Sequence, residues 1–131
     1  DLVGGHVDMM IDALPSSLPY VQSRRLRALG ITDARPSPLL PDVPTVATSG
    51  VPGYQAVTWN GILAPPATPS DIVVRLNASI VQALNSPQLR QRFAAIGTDP
   101  APGSAERFSA FIREETAKWS AVVKRAGVNL Q

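Results

Sequence analysis

The chain has 131 residues, about one domain's length, and its 44% hydrophobic and 17% charged content is too apolar for intrinsic disorder. No run approaches the roughly 18 apolar residues of a membrane span, and the lack of cysteine excludes a disulfide scaffold and thiol chemistry. The net charge of +2 is dispersed, and its one cluster, Arg24, Arg25 and Arg27, has too few interleaved aromatics for a nucleic-acid surface.

In chain order, residues 1–3 read as the last turn of a helix, with Gly4 and Gly5 as its left-handed stop. The opening DLVGGHVDMM has neither the basic start nor the apolar core of a signal peptide. Residues 7–11 (VDMMI) are a short apolar run suited to a buried strand. Residues 12–16 form a turn, and 17–22 a short helix that tolerates Pro19 only within its first turn. Residues 26–32 (LRALGIT) make the next apolar strand. Strand, helix, strand predicts a βαβ unit, with 7–11 and 26–32 as neighbouring parallel strands.

The next zone changes character. Residues 36–70 hold eight of the thirteen prolines and a single charge, Asp42. Its centre, PDVPTVATSGVPGYQAVTWNG, is stiffer and more apolar than a linker, yet has no obvious catalytic group. From residue 68 the pattern is helical. Thr68, Pro69 and Asp71 read as N-cap, N1 proline and acidic N3, opening a helix with the stripe Val73, Leu76, Ile80 and Leu84. Ser86 and Pro87 start another, with Leu89, Phe93 and Ile96 inward and Gly97 as its stop. Residues 98–101 are a short strand or extended connection. Ser104 caps the longest helix, expected to bury Phe108, Phe111, Ile112, Trp119, Val122 and Val123 and to end at Gly127.

Chemistry is sparse. His6 is the one histidine, and no G-x-S-x-G elbow provides a nucleophile for it. Scattered carboxylates give no metal-ligand spacing, and no Gly-rich phosphate loop is present. Neither enzymatic turnover nor a metal or cofactor is expected. The turn Asp12, Ala13, Leu14, Pro15, Ser16 is different. It lies between an expected strand end and a helix N-terminus, where open α/β sheets bind ligands and free N–H groups suit an anion. Asp12 or Ser17 capping the helix is the plain structural alternative.

The strings GGHVDMMIDALPSSLPYVQSRRLRALGIT and PDVPTV…GVPGY…W.G..AP, followed through SPQLRQRFAAIGTDP to FIREETAKWSAVVKRAGVNL, resemble the C-terminal part of the Bug/TctC family. These are periplasmic solute-binding receptors of tripartite tricarboxylate transporters. The resemblance covers the whole chain, with His6 where relatives often carry glutamine or another polar residue. It implies an α/β fold like that of type II periplasmic binding proteins, with two lobes joined by crossing strands and a ligand in the cleft. Residues 1–54 would belong to the second lobe. Residues 55–131 would supply a crossing strand, near 54–64, and helices that complete the first.

The resemblance further implies a periplasmic receptor that binds a small carboxylate or amino-acid ligand without turnover and is read by membrane transporter subunits. Asp12, Ala13, Leu14, Pro15 and Ser16 match the family's second-lobe binding loop, and Trp59 would lie near the cleft, with a plain core tryptophan as the alternative. The family's other binding loops belong to an N-terminal half outside this sequence. The apolar surface of residues 36–70 would then drive self-association of the piece alone. The competing reading is a free-standing α/β protein-interaction module, which light scattering with the intact gene product's mass would separate.

Overall fold

The computed structural model describes residues 1–128; the last three residues of the expected 55–131 segment lie outside them. Its helices are α1 (Leu14–Gln22), α2 (Ser70–Leu84), α3 (Pro87–Ala95) and α4 (Ala105–Ala126), with one 3₁₀ turn at Ala47–Ser49. They belong to two compact units. One comprises Asp1–Leu63 with Pro87–Pro100, the other Ala64–Ser86 with Ala101–Gln131.

The first unit opens with a helix-ending turn. The Gly5 N–H reaches the Leu2 carbonyl and the His6 N–H the Asp1 carbonyl, both at 3.1 Å, with Gly5 at φ 74°. Residues 7–11 follow as an irregular, exposed segment, not the expected buried strand; Met9 is 69% and Ile11 72% exposed. An apolar run becomes a strand only where a neighbour completes its hydrogen bonds. None of the described residues gives one to 7–11.

The expected strand 26–32 is corrected as well: the segment is irregular apart from one bridge at Ile31. Its partner is the proline-rich ribbon: Ile31 donates its N–H to Pro44 at 2.8 Å and accepts from Val46 at 2.9 Å, a parallel bridge between Ile31 and Thr45. The Ala56 N–H adds a bond to the Thr32 carbonyl at 2.9 Å. Periodicity marks a segment as extended without naming its partner.

Thr45, 1% exposed, anchors this ribbon. Its carbonyl accepts from the Thr48 hydroxyl at 3.0 Å and the Ser49 hydroxyl at 2.8 Å, and its own hydroxyl lies 3.0 Å from that of Thr48. The side chains thereby wind the chain into the turn Ala47–Ser49, which Gly50 ends at φ 116°.

Helix α1 starts three residues before the expected Ser17. Ala13, in extended conformation, is its N-cap, and Pro15 falls at the start, where its fixed φ suits the helix and its missing N–H has no partner to lose. Pro19 therefore sits inside the helix, with Leu18, 6% exposed, facing inward beside it. Helix α3 ends as expected at Gly97, φ 72°, with the Thr98 N–H bonded back to Phe93 at 3.0 Å. Residues 98–101 carry no strand, and neither does the expected crossing segment 54–64, where Ile62 is 73% and Leu63 75% exposed. The Ala56 bond to Thr32 is a single contact, too little to set up a strand ladder along 54–64.

In the second unit α2 packs on α4. Helix α2 begins at Ser70 with Pro69 as N-cap, one residue later than the Thr68 cap expected. Val73, Ile80 and Leu84 are half-buried, but Leu76 is exposed and Asn77 takes the inner position, donating from Nδ2 to the Gly103 carbonyl at 3.0 Å. Helix α4 has the expected Ser104 cap, which accepts from Arg107 N–H, and the expected Gly127 stop. Phe108, Phe111 and Ile112 are half-buried; Trp119, Val122 and Val123 are exposed, against expectation. A helical stripe shows which face is apolar, and only a neighbour can bury it.

Candidate functional site

The turn of Asp12, Ala13, Leu14, Pro15 and Ser16 is the first turn of α1 with the two residues before it. The plain alternative of a side-chain cap is not realised, since no side chain caps this N-terminus. Ser16 and Ser17 N–H groups share the Ala13 carbonyl at 3.1 and 3.3 Å. Pro15 has no N–H, so among the described residues the Ala13 and Leu14 N–H groups are the donors of this helix end without an acceptor.

The Ser16 hydroxyl lies 2.6 Å from Asp12 Oδ2 and 2.7 Å from the Ala13 carbonyl. One proton serves one acceptor at a time, so the hydroxyl can also turn outward. Asp12 and Ser16 are exposed, while Ala13 and Leu14 are half-buried. The turn therefore offers backbone donors and a hydroxyl beside a carboxylate. A bare anion facing it would be repelled by Asp12; an amino or hydroxyl group, or water bridging to a carboxylate, is accommodated.

Trp59, the sixth residue singled out by sequence, is in the same unit but on the irregular segment after the ribbon, 40% exposed rather than in a core. His6 is exposed beside Gly4, where an added Cβ would come within 3.1 Å of its ring. Among the described residues no cluster of three or more His, Asp or Glu could hold a metal, and no helix is long and apolar enough to cross a membrane.

The opposite end of α1 carries the arginines. Arg24, in left-handed conformation at φ 58°, and Arg25 and Arg27 border an open groove of about 520 Å³ floored by Val21, Leu26, Ala28 and Val43. Arg25 lies over the Tyr20 ring at 5.7 Å. Positive charge here complements the helix C-terminus.

Glu106, in the first turn of α4, is held below the usual glutamate range by a hydrogen bond with the Ser104 side chain and by the backbone. Sequence reasoning missed what lies behind the α1 turn. Leu14 is wedged against Gly97 at the end of α3, and a glycine after a helix reads locally as a stop, which conceals a packing role.

Known proteins give this geometry its setting. The model of the tripartite tricarboxylate transporter family receptor matches residues 1–128. The chain belongs to this receptor family. A UPF0065 protein in the tcbD-tcbE intergenic region of Pseudomonas sp. (strain P51) is 38% identical over 130 residues, which are 98% of this chain and 39% of that relative. The structure of R. palustris Rpa4515 with adipate superposes with a TM-score of 0.89 at 37% identity, covering 97% of this chain and 42% of that one. The periplasmic binding protein BugD gives the same TM-score, 0.89, at 31% identity, covering 100% of this chain and 44% of BugD.

The chain therefore spans less than half the length of each of these three proteins. Its fold is that of periplasmic binding proteins of the α/β class, as the sequence resemblance implied. Among the described residues the regular elements are helices, with Ile31–Thr45 as the β-bridge.

Proposed function

We propose that this chain is part of an extracytoplasmic, periplasmic receptor that captures a small carboxylate-containing metabolite for a tripartite tricarboxylate-type transporter and releases it unchanged. The observation carrying this reading is the close structural likeness to R. palustris Rpa4515 with adipate, joined to a helix N-terminus left without a side-chain cap. Asp12, Ala13, Leu14, Pro15 and Ser16 form one wall of the ligand cleft, and Trp59 lies at its edge. Residues 1–54 contribute to the second lobe, and 55–131 supply a crossing segment and helices of the first. Asp12 favours a ligand with an amino or hydroxyl group on this side, or one approached through ordered water. Closure of the lobes is the signal passed to the membrane subunits.

Calorimetry on the full-length receptor with adipate, shorter dicarboxylates and acidic amino acids tests the proposal. Ser16→Leu removes the hydroxyl and fills the turn, and should weaken binding by about 1–3 kcal/mol. Affinity unchanged by Ser16→Leu would remove the turn from the site, and absence of binding by any small acid would defeat the reading as a whole.

A further inference from the structure

The geometry points to Gly97 as a positioning residue for the proposed binding turn, acting through Leu14. This rests on the reading of that turn as a ligand wall. Gly97 has two separate reasons to be glycine. Its φ of 72° is strained for any residue with a side chain. In addition, a Cβ built on it would lie 2.5 Å from Leu14 Cδ2, 3.1 Å from Leu14 Cγ and 3.2 Å from Leu39 Cδ1. Real Cβ atoms do not approach other carbons that closely, so something would have to move.

The obvious escape, rotating the leucine away, is restricted. Leu39 Cδ1 also comes within 3.2 Å of the same point, so the space there is already shared, and Leu14 is the first residue of α1, directly before Pro15, whose ring limits the backbone of the residue preceding it. Pushing Leu14 therefore pushes the start of α1. The start of α1 is where the Ala13 carbonyl gathers the Ser16 and Ser17 N–H groups and where Ser16 meets Asp12. The glycine lets the end of α3 act as a backstop, fixing the donors of the turn from behind without touching the ligand.

The other helix-ending glycine provides an internal control. Gly127 closes α4 with nearly the same conformation, φ 66°, and an added Cβ there meets nothing within 4 Å. Gly97→Ala and Gly127→Ala thus impose a similar backbone penalty, and only the first also presses on Leu14.

The experiment uses the full-length receptor with three variants: Gly97→Ala, Gly127→Ala, and Gly97→Ala combined with Leu14→Ala. Amide hydrogen exchange at Ser16 and Ser17 is read without ligand, and adipate affinity by calorimetry. Gly97→Ala should speed exchange at these two amides by about tenfold or more and weaken adipate binding by a comparable factor. Gly127→Ala should leave both as in the unaltered receptor. Removing the Leu14 branch should slow the exchange of the Gly97 variant back toward the original rate. Equal exchange at Ser16 and Ser17 in the two single variants would overturn the inference, as would a double variant no better than Gly97→Ala. If the exchange pattern appears as expected but Ser16→Leu leaves binding unchanged, the backstop stands and the binding-turn reading is the part that fails.

Discussion

Leu18 and Thr45 are the only buried residues among those described, and the accessible surface is 10,542 Å². Two separately compact pieces with the lengths of its two units would expose about 8,000 Å² by the usual scaling of folded surface with mass. The excess is about 2,500 Å² on one chain, so a partner covering it would form an interface of about 5,000 Å² in total, the size of obligate ones. Much of it is apolar, in Met9, Met10, Ile11, Leu29, Ile62 and Leu63, each more than half exposed. The 131-residue chain on its own is therefore expected to self-associate, whereas in the full-length receptor the same residues are expected to be covered. Ile62 and Leu63, 73% and 75% exposed, are the most open of the large apolar side chains and the best place to perturb it. Each contributes about 1.5–3 kcal/mol if fully buried by a partner, so Ile62→Asp with Leu63→Asp should weaken association about a hundredfold or more. Sedimentation velocity over a wide concentration range reads both effects. A compact monomer at every concentration, or a variant that associates as well as the original, would refute the reasoning.

Two further outcomes follow from the ribbon and from α4. Thr45→Val keeps the shape of a fully buried side chain but removes the hydroxyl that Thr48 meets; it should cost about 1–2 kcal/mol, seen in urea unfolding as a lower midpoint at unchanged slope. Because Glu106 is held below its ordinary range by Ser104, its ionised form supports the first turn of α4. That support is complete above the unfolded glutamate value and lost as pH falls through the lowered, folded one. Amide exchange at Arg107 and Phe108 should therefore rise on acidification, beyond the intrinsic pH effect, and Glu106→Gln should abolish the extra dependence.

How much of this was legible in the sequence follows from the range of the forces involved. Helix punctuation acts over a few residues, so Ser104, Gly97 and Gly127 marked the limits of α3 and α4, and the ordered motifs around PDVPTV carried the family. The turn at Asp12, Ala13, Leu14, Pro15 and Ser16 was legible as a loop entering a helix. That the helix begins at Leu14, that Pro19 lies within it, and that no side chain caps it were not, because local propensity did not choose between two possible helix starts. Strand partners were out of reach for a stronger reason. The segment 26–32 pairs through Ile31 with the ribbon at Thr45, and 7–11 with nothing described, although both runs look alike in composition. Trp119 shows the same limit in a helix: its place on the apolar stripe was readable, but its exposure was not. The sequence determines which residues favour leaving water and where a helix stops, since those preferences reside in single side chains and their near neighbours. Only the tertiary structure decides which surfaces meet and which hydrogen bonds close, and so brings Gly97 behind Leu14, because that depends on groups far apart in the chain reaching one place together.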